Sequence, residues 1–149
     1  SPAGDQALIP NDIPFSEEGG QVSVLRIDGD SVVETTRISG LPDVTEALYA
    51  PDGQLALVTQ TEPGRVRVLA RAGDLMTLTP QEIRAGVAGQ LAMVETGPLT
   101  GTVLVPATSP ADGPELIVLR IEGTSVTETE RMSLGRGALN IPGPIAIQP

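Results

Sequence analysis

Apolar residues run along this chain in short blocks, each closed by a polar or glycine-containing turn. Glu46 to Val58, EALYAPDGQLALV, shows the pattern: Ala47-Leu48-Tyr49-Ala50, then Pro51-Asp52-Gly53, then Leu55-Ala56-Leu57-Val58. Blocks this short and this dense predict buried strands rather than helices. Pro51 presets φ at the turn, and Gly53 supplies the backbone freedom to reverse direction.

Two pieces repeat. Val22 to Ile38, VSVLRIDGDSVVETTRI, aligns with Leu116 to Met132, LIVLRIEGTSVTETERM, at an offset of 116 − 22 = 94; ten of the seventeen pairs are identical. A middle copy, VRVLARAGD, begins at Val66, 44 residues after the first and 50 before the last, a mean spacing of 94/2 = 47. The second piece is the strand–turn–strand itself: Ser1 to Ile9 matches Ala50 to Val58 at an offset of 49, with Pro2/Pro51, Gly4/Gly53, Ala7/Ala56 and Leu8/Leu57 identical.

Each repeat therefore holds four strands, a to d. Strand a is predicted at Glu46–Ala50, Gln90–Val94 and Gly143–Gln148; strand b at Gln6–Ile9, Gln54–Thr59 and Thr102–Val105. Strand c is predicted at Gln21–Asp28, Arg65–Arg71 and Glu115–Glu122; strand d at Ser31–Ile38, Leu75–Thr79 and Ser125–Met132. The c–d links, Asp28-Gly29-Asp30, Gly73-Asp74 and Glu122-Gly123-Thr124, are tight hairpin turns that favour positive φ. Small residues within the a strands, Ala47 or Ala50, Ala92 and Ala146, are expected where strands crowd towards a common axis. A β-sandwich also uses many short strands, but it does not require a regular repeat near 47 residues.

With these repeats in place, Ala50-Pro51-Asp52-Gly53 resembles the strand-a turn of YVTN/lactonase-like bacterial β-propellers. The resemblance covers nearly the whole chain and is not to WD40 repeats, whose Trp-Asp signature is missing. It implies an all-β chain, a single partial propeller over 1–149, with repeats at about 1–49, 50–95 and 96–149. Those are three four-stranded antiparallel blades, fewer than the four to eight that usually close a ring. The strand order b-c-d, a-b-c-d, a-b-c-d, a leaves the first blade without its a strand. Two partners answer that need: a homodimer completing a six-bladed ring, or a second polypeptide carrying the remaining blades.

Composition narrows the chemistry. Seventeen Gly and fourteen Pro lie between the apolar blocks and read as turns. Only Phe15 and Tyr49 are aromatic, so the core is aliphatic. The net charge of −10, from nineteen acids against nine arginines, argues against nucleic acid and anionic membranes as partners. No apolar run is long enough to span a bilayer as a helix. The chain has no His, Cys or Lys, which removes imidazole and thiolate catalysis, Schiff-base chemistry and the usual zinc sites. Lack of cysteine leaves the redox compartment open; a secreted or periplasmic location is expected.

Asp28-Gly29-Asp30 lacks the bidentate glutamate of a calcium loop and reads as a turn. Arg26/Glu34 and Arg120/Glu128 recur at matching places and are expected to form cross-strand ion pairs. Binding is expected on the b–c and d–a loops, which open on one face of a propeller. Asn11, Asp12, Glu17, Glu18 and Asp112, with Asp43, form a candidate oxygen-ligand rim for calcium. Arg84, Arg136, Asn140 and Asp43 are candidate ligand-binding residues, the arginines for an anionic group. The leading expectation is a non-catalytic binding or assembly module. The alternative, implied by the resemblance to lactonase-like and phytase-like propellers, is part of a calcium-assisted hydrolase.

Overall fold

The computed structural model describes residues 1–11, 19–109, 111 and 113–135; the predicted a strand at Gly143–Gln148, with Ala146, lies outside them. The described residues form no helix. The first sheet is β1 (Gln6–Asn11), β2 (Gln21–Asp28) and β3 (Ser31–Ser39), in that order. The second is β4 (Val44–Tyr49), β5 (Leu55–Gln60), β6 (Arg65–Ala72) and β7 (Leu75–Arg84). A two-residue strand, β8 (Val87–Ala88), precedes the third sheet of β9 (Ala92–Met93), β10 (Thr102–Ser109), β11 (Gly113–Glu122) and β12 (Ser125–Ser133).

All pairings within these sheets are antiparallel. The predicted strand order holds in each sheet, but β7 and β10 run several residues further than expected and β9 is shorter. Gly89 donates its N–H to the Pro106 carbonyl (2.6 Å), so the segment around β8 follows the far half of β10 that β9 does not cover.

Why the sheets stack is written in their alternation. In β5, Ala56 and Val58 join Val22, Val24, Ile38 and Leu41 in a core against the first sheet. Leu55 and Leu57 point the other way, into a second core with Val103, Val105, Ile117 and Leu119 of the third sheet. All six residues of β5 are buried, as a strand covered on both faces requires. The second sheet thus has two apolar faces, one towards the first sheet and one towards the third. Ala50 is fully buried, while Ala47 and Ala92 are only partly so; Ala92 pairs with Leu104 on the far side of the third sheet.

The expected Arg26–Glu34 and Arg120–Glu128 pairs do not form. A bulge in β3 sets Val24 opposite Thr36 and Leu25 opposite Glu34, leaving Thr35 as the extra residue. Arg26 then lies opposite Val33 and points to the other face from Glu34. The same extra residue brings Glu34 and Arg37 onto one face, where Arg37 Nε and Nη2 donate to both carboxylate oxygens at 2.9 and 2.8 Å. The third sheet repeats the device: Thr129 is the extra residue, and Arg131 holds Glu128 at 2.8 Å through two donors. In all three sheets a threonine at the irregularity donates to the neighbouring strand's carbonyl: Thr35 to Val24, Thr79 to Val68 and Thr129 to Val118.

Two glycines set how closely the second and third sheets approach. A Cβ on Gly64 would sit 1.9 Å from the Gly86 carbonyl oxygen, and one on Gly86 would sit 2.3 Å from that of Thr108. Gly29 has a similar positive φ but nothing within 4 Å of the added atom. Gly29→Ala is expected to cost about 1 kcal/mol, the conformational term alone. Gly64→Ala adds a backbone clash and is expected to cost several times more, read as the difference between the two melting temperatures. Equal losses would show that the close approach carries no weight.

Candidate functional site

Antiparallel order places the ends of β1 and β7 and the start of β4 at one end of the sheets, where the b–c and d–a loops lie. Asn11 closes β1, and its amide Nδ2 donates to the Ile9 carbonyl and to Ser23 Oγ, both at 3.1 Å. Asp43 has φ 50°, and its carbonyl accepts the Thr61 N–H at 3.0 Å. Arg84 ends β7 opposite Arg65 with an exposed side chain; its carbonyl accepts Arg131 Nη2 at 2.7 Å, tying the second sheet to the third. These three expected site residues therefore share one end of the molecule. Asp12, Glu17, Glu18, Asp112, Arg136 and Asn140 lie outside the described residues. Among the described residues, no group of three or more acidic side chains converges on a metal position.

That same end holds buried polar groups that composition did not reveal. Gln60 is buried at the end of β5; its Nε2 donates to the Pro42 carbonyl at 2.9 Å, and its Oε1 has no partner. Glu115 is buried at the equivalent end of the third sheet and receives Arg131 Nη1 at 2.7 Å. The second sheet carries the pair with the charges exchanged, Arg65 Nη1 donating to Glu82 at 2.7 Å. Aligning the repeats at an offset of 50 puts Arg65 at the position of Glu115. An ion pair kept while its signs reverse serves packing at the sheet ends, since a fixed ligand would demand a fixed sign.

The opposite end, where the a–b and c–d turns lie, holds a cavity of about 510 Å³ that sequence reasoning did not anticipate. Leu48, Tyr49 and Met93 form its apolar wall, Pro2 and Pro51 of two equivalent turns form its rim, and Glu95 supplies a carboxylate. Tyr49 Oη donates to Gln6 Oε1 (2.7 Å), and Gln6 Nε2 donates to the Asp74 carbonyl (2.9 Å). Burial pushes the Tyr49 hydroxyl up to about 12, so it remains a donor at neutral pH. Arg71 Nη2 donates to Asp5 Oδ2 at 2.6 Å, joining the first and second sheets. Hydrogen bonds from Arg71, and then from the Ser1 hydroxyl, hold the Asp5 carboxyl well below the usual carboxylate range. Glu46, half-buried near the start of β4 at the loop-rich end, is pushed the other way by burial, against the N–H donated by Leu91. The signal for the cavity was the match of Pro2-Ala3-Gly4 to Pro51-Asp52-Gly53, which brings the turns to one end but does not show the space between them.

No protein-family model matches the chain, and no curated protein sequence matches it. Solved structures do. A protein from Bacteroides uniformis ATCC 8492, provisionally named a 6-phosphogluconolactonase, superposes with a TM-score of 0.66 at 12% identity over 94% of this chain and 41% of that one. A protein from Bacteroides fragilis NCTC 9343 with the same provisional name gives 0.58 at 10% identity, over 89% and 44%. A functionally unknown protein from Desulfotomaculum acetoxidans DSM 771 gives 0.59 at 19% identity, over 74% and 34%. At these identities the likeness is one of fold, a propeller-like all-β architecture. The chain spans less than half the length of each of these structures.

The Asp5–Arg71 pair has a defined pH signature. A carboxyl depressed in the folded state contributes stability that is complete above its unfolded value, near 3.8, and is lost as pH falls through the lower folded value. Arg71→Met is expected to move the Asp5 titration up towards 3.8, with the Ser1 hydrogen bond retaining part of the depression, followed by carboxyl NMR, and to flatten this part of the acid limb. Titration of Asp5 near 3.8 in the unaltered chain would contradict the assigned contact.

Proposed function

We propose that the chain is a non-catalytic assembly and binding module: three successive propeller blades whose ring is completed by further blades, presenting one loop-rich end to a ligand. The described sheets, β1–β3, β4–β7 and β9–β12, are offset from the repeats predicted at about 1–49, 50–95 and 96–149, because the a strand at the end of one repeat joins the sheet of the next. One comparison carries the reading. Val32, Met76 and Val126 occupy equivalent positions, at offsets of 44 and 50, on the face that each sheet turns towards its predecessor. Met76 and Val126 are each 2% exposed because a sheet precedes them, whereas Val32, with no sheet before it among the described residues, is 60% exposed. Ile9 repeats the contrast: it is 43% exposed, against complete burial of its equivalents Val58 and Val105. Burying a side chain of this size contributes about 1.5–3 kcal/mol. The open face is thus the same surface that elsewhere forms a core.

A second reading is favoured by the likeness to the two provisionally named 6-phosphogluconolactonases: these blades form part of a lactone-hydrolysing ring. In that reading the calcium rim of Asn11, Asp12, Glu17, Glu18 and Asp112 would polarise a substrate carbonyl from the loop-rich end, and Arg84 and Arg136 would face its phosphate. Millimolar calcium should then raise the melting temperature through linkage, and the assembled protein should hydrolyse 6-phosphogluconolactone. An unchanged melting curve together with no hydrolysis removes this reading.

The assembly reading makes its own demand. Val32→Asp is expected to abolish association of the purified chain while its circular dichroism stays that of folded β-sheet, because position 32 is open in the isolated chain. A monodisperse, cooperatively folded 15.4 kDa species in the unaltered protein would overturn it.

A further inference from the structure

Among the described residues no sheet covers either end of the three-sheet stack, and the two ends match. On the face that each sheet turns towards its successor, Val22 and Val24 of the first sheet and Val66 and Val68 of the second are fully buried. Their equivalents in the third sheet, Leu116 and Val118, are only partly buried, and Met132, at the position of Ile38 and Ile83, is 36% exposed. That surface is what packs on a face such as Ile9, Leu25 and Val32, just as Val22, Val24 and Ile38 pack on Val58, Leu69 and Met76.

Polar groups fix the match more narrowly than apolar area can. Between the first and second sheets, Arg26 Nη1 lies 3.4 Å from Asp74 Oδ2, and Thr35 Oγ1 donates to the Asp74 carbonyl at 3.2 Å. Asp74 sits in the c–d turn of the following sheet. Between the second and third sheets, the position of Arg26 is Ala70 (26 + 44), and the facing turn residue is Thr124 (74 + 50), so charge is absent from both sides. At the open end of the third sheet, the same positions are Arg120 (26 + 94) and Thr129 (35 + 94). The third c–d turn of the set belongs to the first sheet, where the position of Asp74 is Asp30 (74 − 44), an exposed acid. Arginine meets aspartate, alanine meets threonine, and the remaining arginine matches the remaining aspartate.

We infer that the open face of the third sheet docks on the open face of the first sheet of a second copy of this chain, with Arg120 and Thr129 of one copy against Asp30 of the other. This rests on the reading of the chain as an arc of blades. Two copies then make two identical contacts about a two-fold axis and close a six-bladed ring. Arg120, whose Nη1 now donates to Thr102 Oγ1 at 3.1 Å and whose Nε lies 3.7 Å from an exposed Glu122 carboxylate, gains a facing acid on docking. In a set of opposed charges across a docking surface, this pairing selects register and partner.

The chain contains no cysteine, so introduced thiols report on contacts without interference. Asp30→Cys and Thr129→Cys chains, mixed and oxidised, are expected to give a covalent dimer; either alone is expected to give none. The double variant Asp30→Cys/Thr129→Cys is expected to give a doubly linked dimer and no longer ladder. Asp30→Arg and Arg120→Asp are each expected to weaken association about tenfold, and together to restore it, because like charges replace a pair at both contacts. A ladder of longer oligomers overturns the closed ring. Association that persists without the 30–129 cross-link overturns docking on a second copy at these faces but leaves the arc of blades standing. A lone folded monomer overturns both.

Discussion

The structure depends on one constraint: an aliphatic sheet in this chain is apolar on both faces and must be covered on both. The second sheet meets that demand inside the chain, and its b strand, Leu55–Gln60, is buried throughout. The other sheets share its residue pattern, but among the described residues each has only one neighbour. With two aromatic residues in the whole chain, no large side chain folds over to shield an open face. Stability and assembly are therefore the same problem, solved by stacking one sheet on the next. Apolar stacking has no direction of its own, and this is where the polar contacts matter. Arg26 with Asp74, Arg71 with Asp5, and Arg131 with the Arg84 carbonyl sit at the margins of the cores and fix how one sheet rests on the next. The first two are ion pairs worth little at a surface and the third is a hydrogen bond to a backbone carbonyl, yet each is satisfied in only one register.

Much of this was legible in the sequence because sheet formation is local. Period, turn chemistry and strand order followed from apolar blocks separated by residues such as Pro51, Gly53, Gly29 and Gly73. The ion pairs were misread because a bulge changes face without changing composition. Glu34 and Arg37, three residues apart, belong on opposite faces of a regular strand and meet only because Thr35 is the extra residue. The identity of Glu-Thr-x-Arg in two repeats was a signal for that bulge. The close approach at Gly64 and Gly86 was hidden for another reason: both glycines read as ordinary turn residues, and only the folded chain sets Gly64 against Gly86 and Gly86 against Thr108 of the neighbouring sheet. The candidate site was the least legible part. Asn11, Asp43 and Arg84 do share one end, whereas the cavity at the other end arises from how Leu48, Tyr49 and Met93 are spaced by packing between sheets.

The functional picture follows from the same physics. A scaffold with no histidine, cysteine or lysine places its chemistry in carboxylates, guanidinium groups, hydroxyls and amides. Among the buried ones, Gln6, Gln60 and Glu115 are spent on joining strands and sheets. In the proposed assembly, recognition is a property of surfaces created when blades come together.

The central claim is that the face bearing Val32 is an interior surface in the working protein. Solvent access at that position tests it most directly. Val32→Cys, Met76→Cys and Val126→Cys, each the single thiol of its chain, can be compared for labelling rate across protein concentration. The account predicts that position 32 is protected like positions 76 and 126 in the concentrated protein and becomes reactive on dilution. Reaction of position 32 at the rate of a fully exposed thiol at every concentration would contradict it.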